Sequence, residues 1–146
     1  MKKLLLLFML LLSFCACSSS DEDIYVQDTF ICDGKKFPID KVYQESSRII
    51  FFSGSYEFHI NNIDYEKGKK FYLYTYENAY AKIAYYDLND KGSYKFYQVF
   101  DNKDIDHSSY VLVKDSEEDN RTYYEVYIRT AEHIVTVRYL GVPKDY

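Results

Sequence analysis

From Thr29 onward the chain alternates between apolar and polar residues with a period of two, the repeat of β-strands with one buried face. The stretch "TYYEVYIRTAEHIVTVRYL" shows it most clearly. Tyr124, Val126 and Ile128 share one face, followed by Val135, Val137 and Tyr139. The opposite face carries Tyr123, Glu125, Tyr127 and Arg129, then Thr136 and Arg138. Only Thr130 to Glu132 separate the two runs, so they are expected to form a hairpin. "RIIFFSGSYEFHI" predicts two strands around a turn or bulge at Ser53-Gly54. In the second of them Tyr56, Phe58 and Ile60 face one way, and Ser55, Glu57 and His59 the other. Asp33-Gly34 marks a tight hairpin, because both residues reach positive φ, and Pro38 predicts an edge or a strand end.

The middle of the chain has two readings. "KKFYLYTYENAYAKIAYY" fits strands over 70–76 and 80–86 around a Glu77-Asn78 turn. It also fits a short helix capped by Asn78, with Tyr80, Ile83 and Ala84 on one face. The alternation from Phe71 to Tyr76, and the β character on both sides, favour strands. About eight short strands separated by turns imply an all-β fold, an antiparallel β-sandwich or a small barrel. Composition agrees: 18 Tyr and 10 Phe, with few Gly and Pro, suit a pleated, half-buried surface.

The first residues follow a different rule. Lys2 and Lys3 precede the apolar run Leu4 to Leu12, which is too short for a bilayer span of ~20 residues and fits the core of a signal peptide. In Ser13-Phe14-Cys15-Ala16-Cys17 a small residue stands before a cysteine, and the stretch resembles a bacterial lipobox. That resemblance implies that 1–16 is a cleaved signal and that Cys17 carries a diacylglycerol and an acylated amine. Each buried methylene contributes ~0.8 kcal/mol, so two or three chains would make attachment to a membrane effectively permanent. Residues 17–28 then form a lipidated tether and 29–146 the β-domain. Ser18-Ser19-Ser20-Asp21-Glu22-Asp23 has nothing apolar to bury and should be extended. It reads equally as a solvated leash or, by resemblance, as the surface-export signal of Bacteroidota lipoproteins.

Loss of Lys2 and Lys3 with the signal would reduce 18 basic groups to 16 against 23 acids, a net charge of −7. A nucleic-acid partner, or attraction to anionic lipid headgroups, is therefore not expected. "DGKKFPI", "DLNDKGSYKF" and "YYEVYIRTAEHIVTVRYLGVP" look like the small β-sandwich lipoproteins of gut Bacteroidota. The likeness implies a fold and an outer-membrane location, and brings no catalytic or binding residue with it.

Candidate chemistry is sparse. His59 with Glu57, and His107 with Asp104 and Asp106, are the groupings that a small envelope hydrolase would have to use. "DLNDKG" at 87–92 has the acids of a calcium loop, but Lys91 takes a ligand position and Gln98 stands where a bidentate Glu belongs. No nucleophile elbow, phosphate loop or zinc-protease motif is present, and no metal or cofactor is expected. Cys15 leaves with the signal and Cys17 is lipidated, so Cys32 is expected as a lone, buried apolar side chain. One feature remains: Tyr72, Tyr74 and Tyr76 fall on one face of the predicted strand, with Phe71 and Leu73 on the other. They either cover an edge of the core or form an exposed surface for a glycan or protein partner. The expected function is a membrane-tethered, non-catalytic binding or structural module.

Overall fold

A computed structural model describes residues 28–87, 93–117 and 119–144. The expectations for Cys17, the tether and the loop at 88–92 fall outside these residues. Eleven strands follow one another: β1 (Thr29–Cys32), β2 (Lys35–Pro38), β3 (Lys41–Glu45), β4 (Arg48–Ser53), β5 (Tyr56–Asn61), β6 (Lys70–Tyr72), β7 (Tyr80–Asp87), β8 (Ser93–Asp101), β9 (Tyr110–Asp115), β10 (Thr122–Arg129) and β11 (Ile134–Gly141). They form two antiparallel sheets, one ordered β2-β1-β11-β10-β9-β6 and the other β3-β4-β5-β7-β8. The sheets do not close on each other, so the fold is a sandwich rather than a barrel. The strand count exceeds the expected eight in part because β3, of five residues, belongs to none of the expected hairpins. A run that short shows no clear period in a sequence.

Local chemistry sets the hairpins. Asp33 (φ 50°) and Gly34 (φ 81°) both adopt positive φ between β1 and β2, the geometry of a tight hairpin turn. Pro38 ends β2, an edge strand, where its missing N–H interrupts no ladder. The turn at 130–133 is held by Thr130, whose Oγ1 accepts the N–H of His133 at 3.0 Å. Asp33 ties these two turns together by accepting Ile134 N–H at 2.8 Å, with His133 Nδ1 2.6 Å from its other oxygen.

The middle segment resolves into strand, turn and strand. Residues 80–86 lie within β7, flanked by β5 and β8, and the alternative helix does not form. The strand expected over 70–76 stops at Tyr72, and Leu73–Thr75 make one turn of 3-10 helix. Polar side chains cap the carbonyls that a longer strand would have paired. Asn102 donates both Nδ2 protons, to Leu73 O at 2.8 Å and Tyr76 O at 2.5 Å, and Thr75 Oγ1 donates to Tyr72 O at 2.6 Å.

Aromatic rings join the two sheets. Phe30 of β1 meets Phe58 of β5 at 5.6 Å between centroids, and Phe51 of β4 meets Tyr124 of β10 edge-on at the same distance. Phe37 stacks on Phe30 at 4.5 Å and extends this layer toward β2. All five rings are buried, and burial of each Phe contributes about 1.5–3 kcal/mol. Tyr124 also carries the polar end of the contact: its hydroxyl donates to Gln44 Oε1, and Gln44 Nε2 donates to the hydroxyl of Tyr65. Cys32 is buried in the same core, and burial with the neighbouring Asp33 carboxylate pushes its thiol up to about 11. It stays protonated at neutral pH, as a small apolar side chain should.

Two substitutions separate the apolar and polar parts of this contact. Phe51→Ala should lower unfolding stability by about 3–5 kcal/mol. Tyr124→Phe keeps the ring and strands the Gln44 oxygen, and should cost about 1–3 kcal/mol. Urea unfolding of the purified domain measures both.

Candidate functional site

The outer face of the six-stranded sheet carries a band of aromatic rings. Cross-strand register places Tyr72 opposite Tyr110, Tyr110 opposite Tyr127, and Tyr127 opposite Thr136. Ring centroids are 6.4 Å apart for Tyr72–Tyr110 and 6.2 Å for Tyr110–Tyr127. The 3-10 turn after β6 prolongs the band, with Tyr74 6.1 Å from Tyr72 and His107 4.3 Å from Tyr74. Rings at these separations interact as offset or tilted pairs, each contributing about 0.5–1.5 kcal/mol beyond burial. Lys70 places its Nζ 3.9 Å from the centre of the Tyr110 ring.

The next row on the same face centres on Glu125. Tyr110 OH donates to its Oε1 at 2.5 Å and Tyr123 OH to its Oε2 at 3.2 Å, while Arg138 Nη2 lies 4.0 Å from Oε1. Burial, reinforced by the carboxylate, suppresses ionisation of both phenols and pushes Tyr123 up to about 12. Tyr110 and Tyr123 are therefore fixed donors, and Glu125 is held as an acceptor. A cleft of about 260 Å³ runs over this row between Thr29, Tyr110, Glu125, Tyr127 and Arg138.

The three expected tyrosines are all exposed, Tyr72 at 40%, Tyr74 at 39% and Tyr76 at 43%, and Phe71 and Leu73 are buried beneath them. They do not act as one strand face, however. β6 and the 3-10 turn carry Tyr72 and Tyr74 into the band, whereas Tyr76 stacks on Phe71 at 4.7 Å and lines a second recess with Tyr80. Tyr110 and Tyr127 complete the band and were not singled out in the sequence. The outward face of Tyr127 was legible from the hairpin alternation. What alternation cannot give is which residues of non-adjacent segments stand opposite each other.

Of the two histidine groupings, one lies away from the band and the other touches its end. His59 and Glu57 sit on the outer face of the five-stranded sheet, with Nε2 and Oε2 2.8 Å apart, and neither lines the cleft over Glu125 or the recess at Tyr76. Burial lowers the pKa of His59 and outweighs the opposing pull of Glu57. His107 packs against Tyr74, while Asp106 accepts the N–H and hydroxyl of Ser108 at 2.8 and 2.5 Å. Among the described residues no group of three His, Cys, Asp or Glu side chains converges on a possible ion.

Comparison with known proteins gives no guide. No family model, no curated protein and no solved structure matches the chain.

The lowered pKa of His59 has a consequence for stability. Below the unfolded value near 6.5 the unfolded chain takes up a proton that folded His59 resists, so stability present at pH 8 should decline toward pH 5. His59→Gln should flatten that decline between about pH 7 and 5. Denaturation midpoints of both proteins across this range provide the check.

Proposed function

We propose that the chain is a lipoprotein, anchored through Cys17 to the outer membrane, whose β-sandwich serves as a non-catalytic binding module at the cell envelope. The tyrosine band on the six-stranded sheet is its contact surface. One observation carries the binding part of this reading. Five ring side chains, from His107 through Tyr74, Tyr72 and Tyr110 to Tyr127, form a continuous strip on an outer sheet face. Tyr gives a large apolar contact area with little rotamer entropy to lose, and its hydroxyl tolerates water when the surface is free.

The charged groups around the strip suit the same role. Lys70 and the Glu125–Arg138 row border the rings and would give a partner a polar rim to register against. A broad sheet face with a shallow cleft favours a macromolecular partner, a folded protein surface in the first instance, over an enclosed small molecule. The lipobox at Cys17 supports the tether, and the serine-acid run after it supports display of the domain away from the bilayer.

Cys17→Ser should abolish incorporation of labelled palmitate and move the protein from the membrane to the soluble fraction, leaving the β-domain folded. Continued labelling and membrane recovery would remove the tether from this account. For the contact surface, a photocrosslinking residue at Tyr127 should give a discrete adduct in living cells. The same residue at Lys82, on the other sheet, should give none, and equal yields at both sites would count against the band.

A further inference from the structure

The largest recess described lies away from the tyrosine band, at the loop end of the sandwich where β5, β7 and β8 meet. Its volume is about 960 Å³, at the upper end of the range for small-ligand sites. Tyr76 and Tyr80 supply its aromatic surface, and Asn62, Glu77, Asp101 and Asn102 its polar groups. We propose that this recess binds a short neutral oligosaccharide. The inference uses a different surface from the tyrosine band and stands independently of it.

Three features of the recess point to a hydroxyl-rich, uncharged ligand. First, its aromatic wall is set before any ligand arrives. Tyr76 is stacked on Phe71 at 4.7 Å, which fixes its plane while leaving it 43% exposed. A sugar ring offers axial C–H groups to such a face, and Tyr combines a flat apolar body with a polar tip.

Second, the amides are oriented. Asn102 commits both Nδ2 protons to the carbonyls of Leu73 and Tyr76, so its Oδ1 is fixed as an acceptor. Asn62, at φ 57°, donates Nδ2 to Asn78 O at 2.8 Å, which orients its amide as well. With the carboxylates of Glu77 and Asp101, the side chains of the recess are rich in acceptors. Each sugar hydroxyl brings a donor to such a wall.

Third, the charge excludes the alternatives. Glu77 and Asp101 face one cation, Lys103, whose Nζ is 4.0 Å from Asp101 Oδ2. The local balance is one negative charge, which repels uronic or sulfated sugars. Two carboxylates are too few for a dedicated cation cage, in keeping with the absence of a metal-binding cluster among the described residues. A donor also waits beside the wall. Asn61, on the same sheet face as Tyr80 and Asp101 and directly across from Tyr80, is 8% exposed and its Nδ2 is buried without a partner. Buried donors of this kind are rare, and although Asn61 does not itself line the recess, a water bridging from the recess would satisfy its amide.

The test is titration of the purified domain with neutral gluco-, manno-, xylo- and galacto-oligosaccharides, tetra- to hexasaccharides, with oligogalacturonate as the acidic counterpart. At least one neutral series should bind, calorimetry giving the affinity, and oligogalacturonate should not. Tyr80→Ala should weaken binding roughly tenfold or more, whereas Tyr97→Ala, outside both the recess and the band, should leave it unchanged. Glu77→Lys, on an exposed turn and without expected effect on folding, should admit the acidic oligomer. Failure of every neutral series to bind at millimolar concentration would overturn the proposal. So would equal binding of oligogalacturonate by the unsubstituted domain, or binding that Tyr80→Ala does not weaken in a protein of unchanged melting temperature.

Discussion

The contact of Phe51 and Phe58 on one sheet with Tyr124 and Phe30 on the other governs the rest of this molecule. With no α-helix among the described residues to cover either sheet, each sheet must bury one face against its counterpart. Strand alternation then leaves no freedom: once Tyr124, Val126 and Ile128 point inward, Tyr123, Glu125 and Tyr127 must point outward. A slip of one residue would exchange the two sets and place Glu125 in the core. The outer tyrosine band is thus a consequence of the same pairing that builds the core.

The two outer faces that result are chemically different. On the five-stranded sheet Ile50 and Ala84 are buried although they point away from the core, and His59 and Glu57 satisfy each other between them. The middle of that face is thereby covered, while Tyr86 and Val99 stay exposed toward β8. The six-stranded sheet instead presents rings in register across β6, β9 and β10, with a carboxylate held by two phenols beside them. The side chain of Asn102 connects this face to the recess at the sandwich end, because the turn it caps sends Tyr74 toward the band and Tyr76 toward the recess.

Local pattern made much of the fold legible. Asp33-Gly34, Ser53-Gly54 and the 130–132 connection marked the hairpins, and the inward and outward assignments of 56–60 and 123–139 hold residue by residue. The split of 70–76 into strand and 3-10 turn was hidden, since the cap comes from Asn102, far along the chain. The band was half legible for a related reason: the exposure of Tyr72 and Tyr74 follows from alternation with Phe71 and Leu73, whereas Tyr110 and Tyr127 join only through pairing of β6 with β9 and β9 with β10. Of the histidine groupings, Glu57 and His59 meet as strand alternation places them, whereas His107, Asp104 and Asp106 do not converge on one point, because neighbours in a loop need not.

If the tyrosine band is a contact surface, a partner covers it where the protein works. Hydroxyl-radical footprinting of the full chain on intact cells, set against the purified domain, measures this ring by ring. Tyr97, on the other sheet, is 46% exposed and serves as the internal reference. Slower oxidation of Tyr72, Tyr110 and Tyr127 on cells, with Tyr97 unchanged, is the predicted result. Equal oxidation of all four rings in both settings would contradict it.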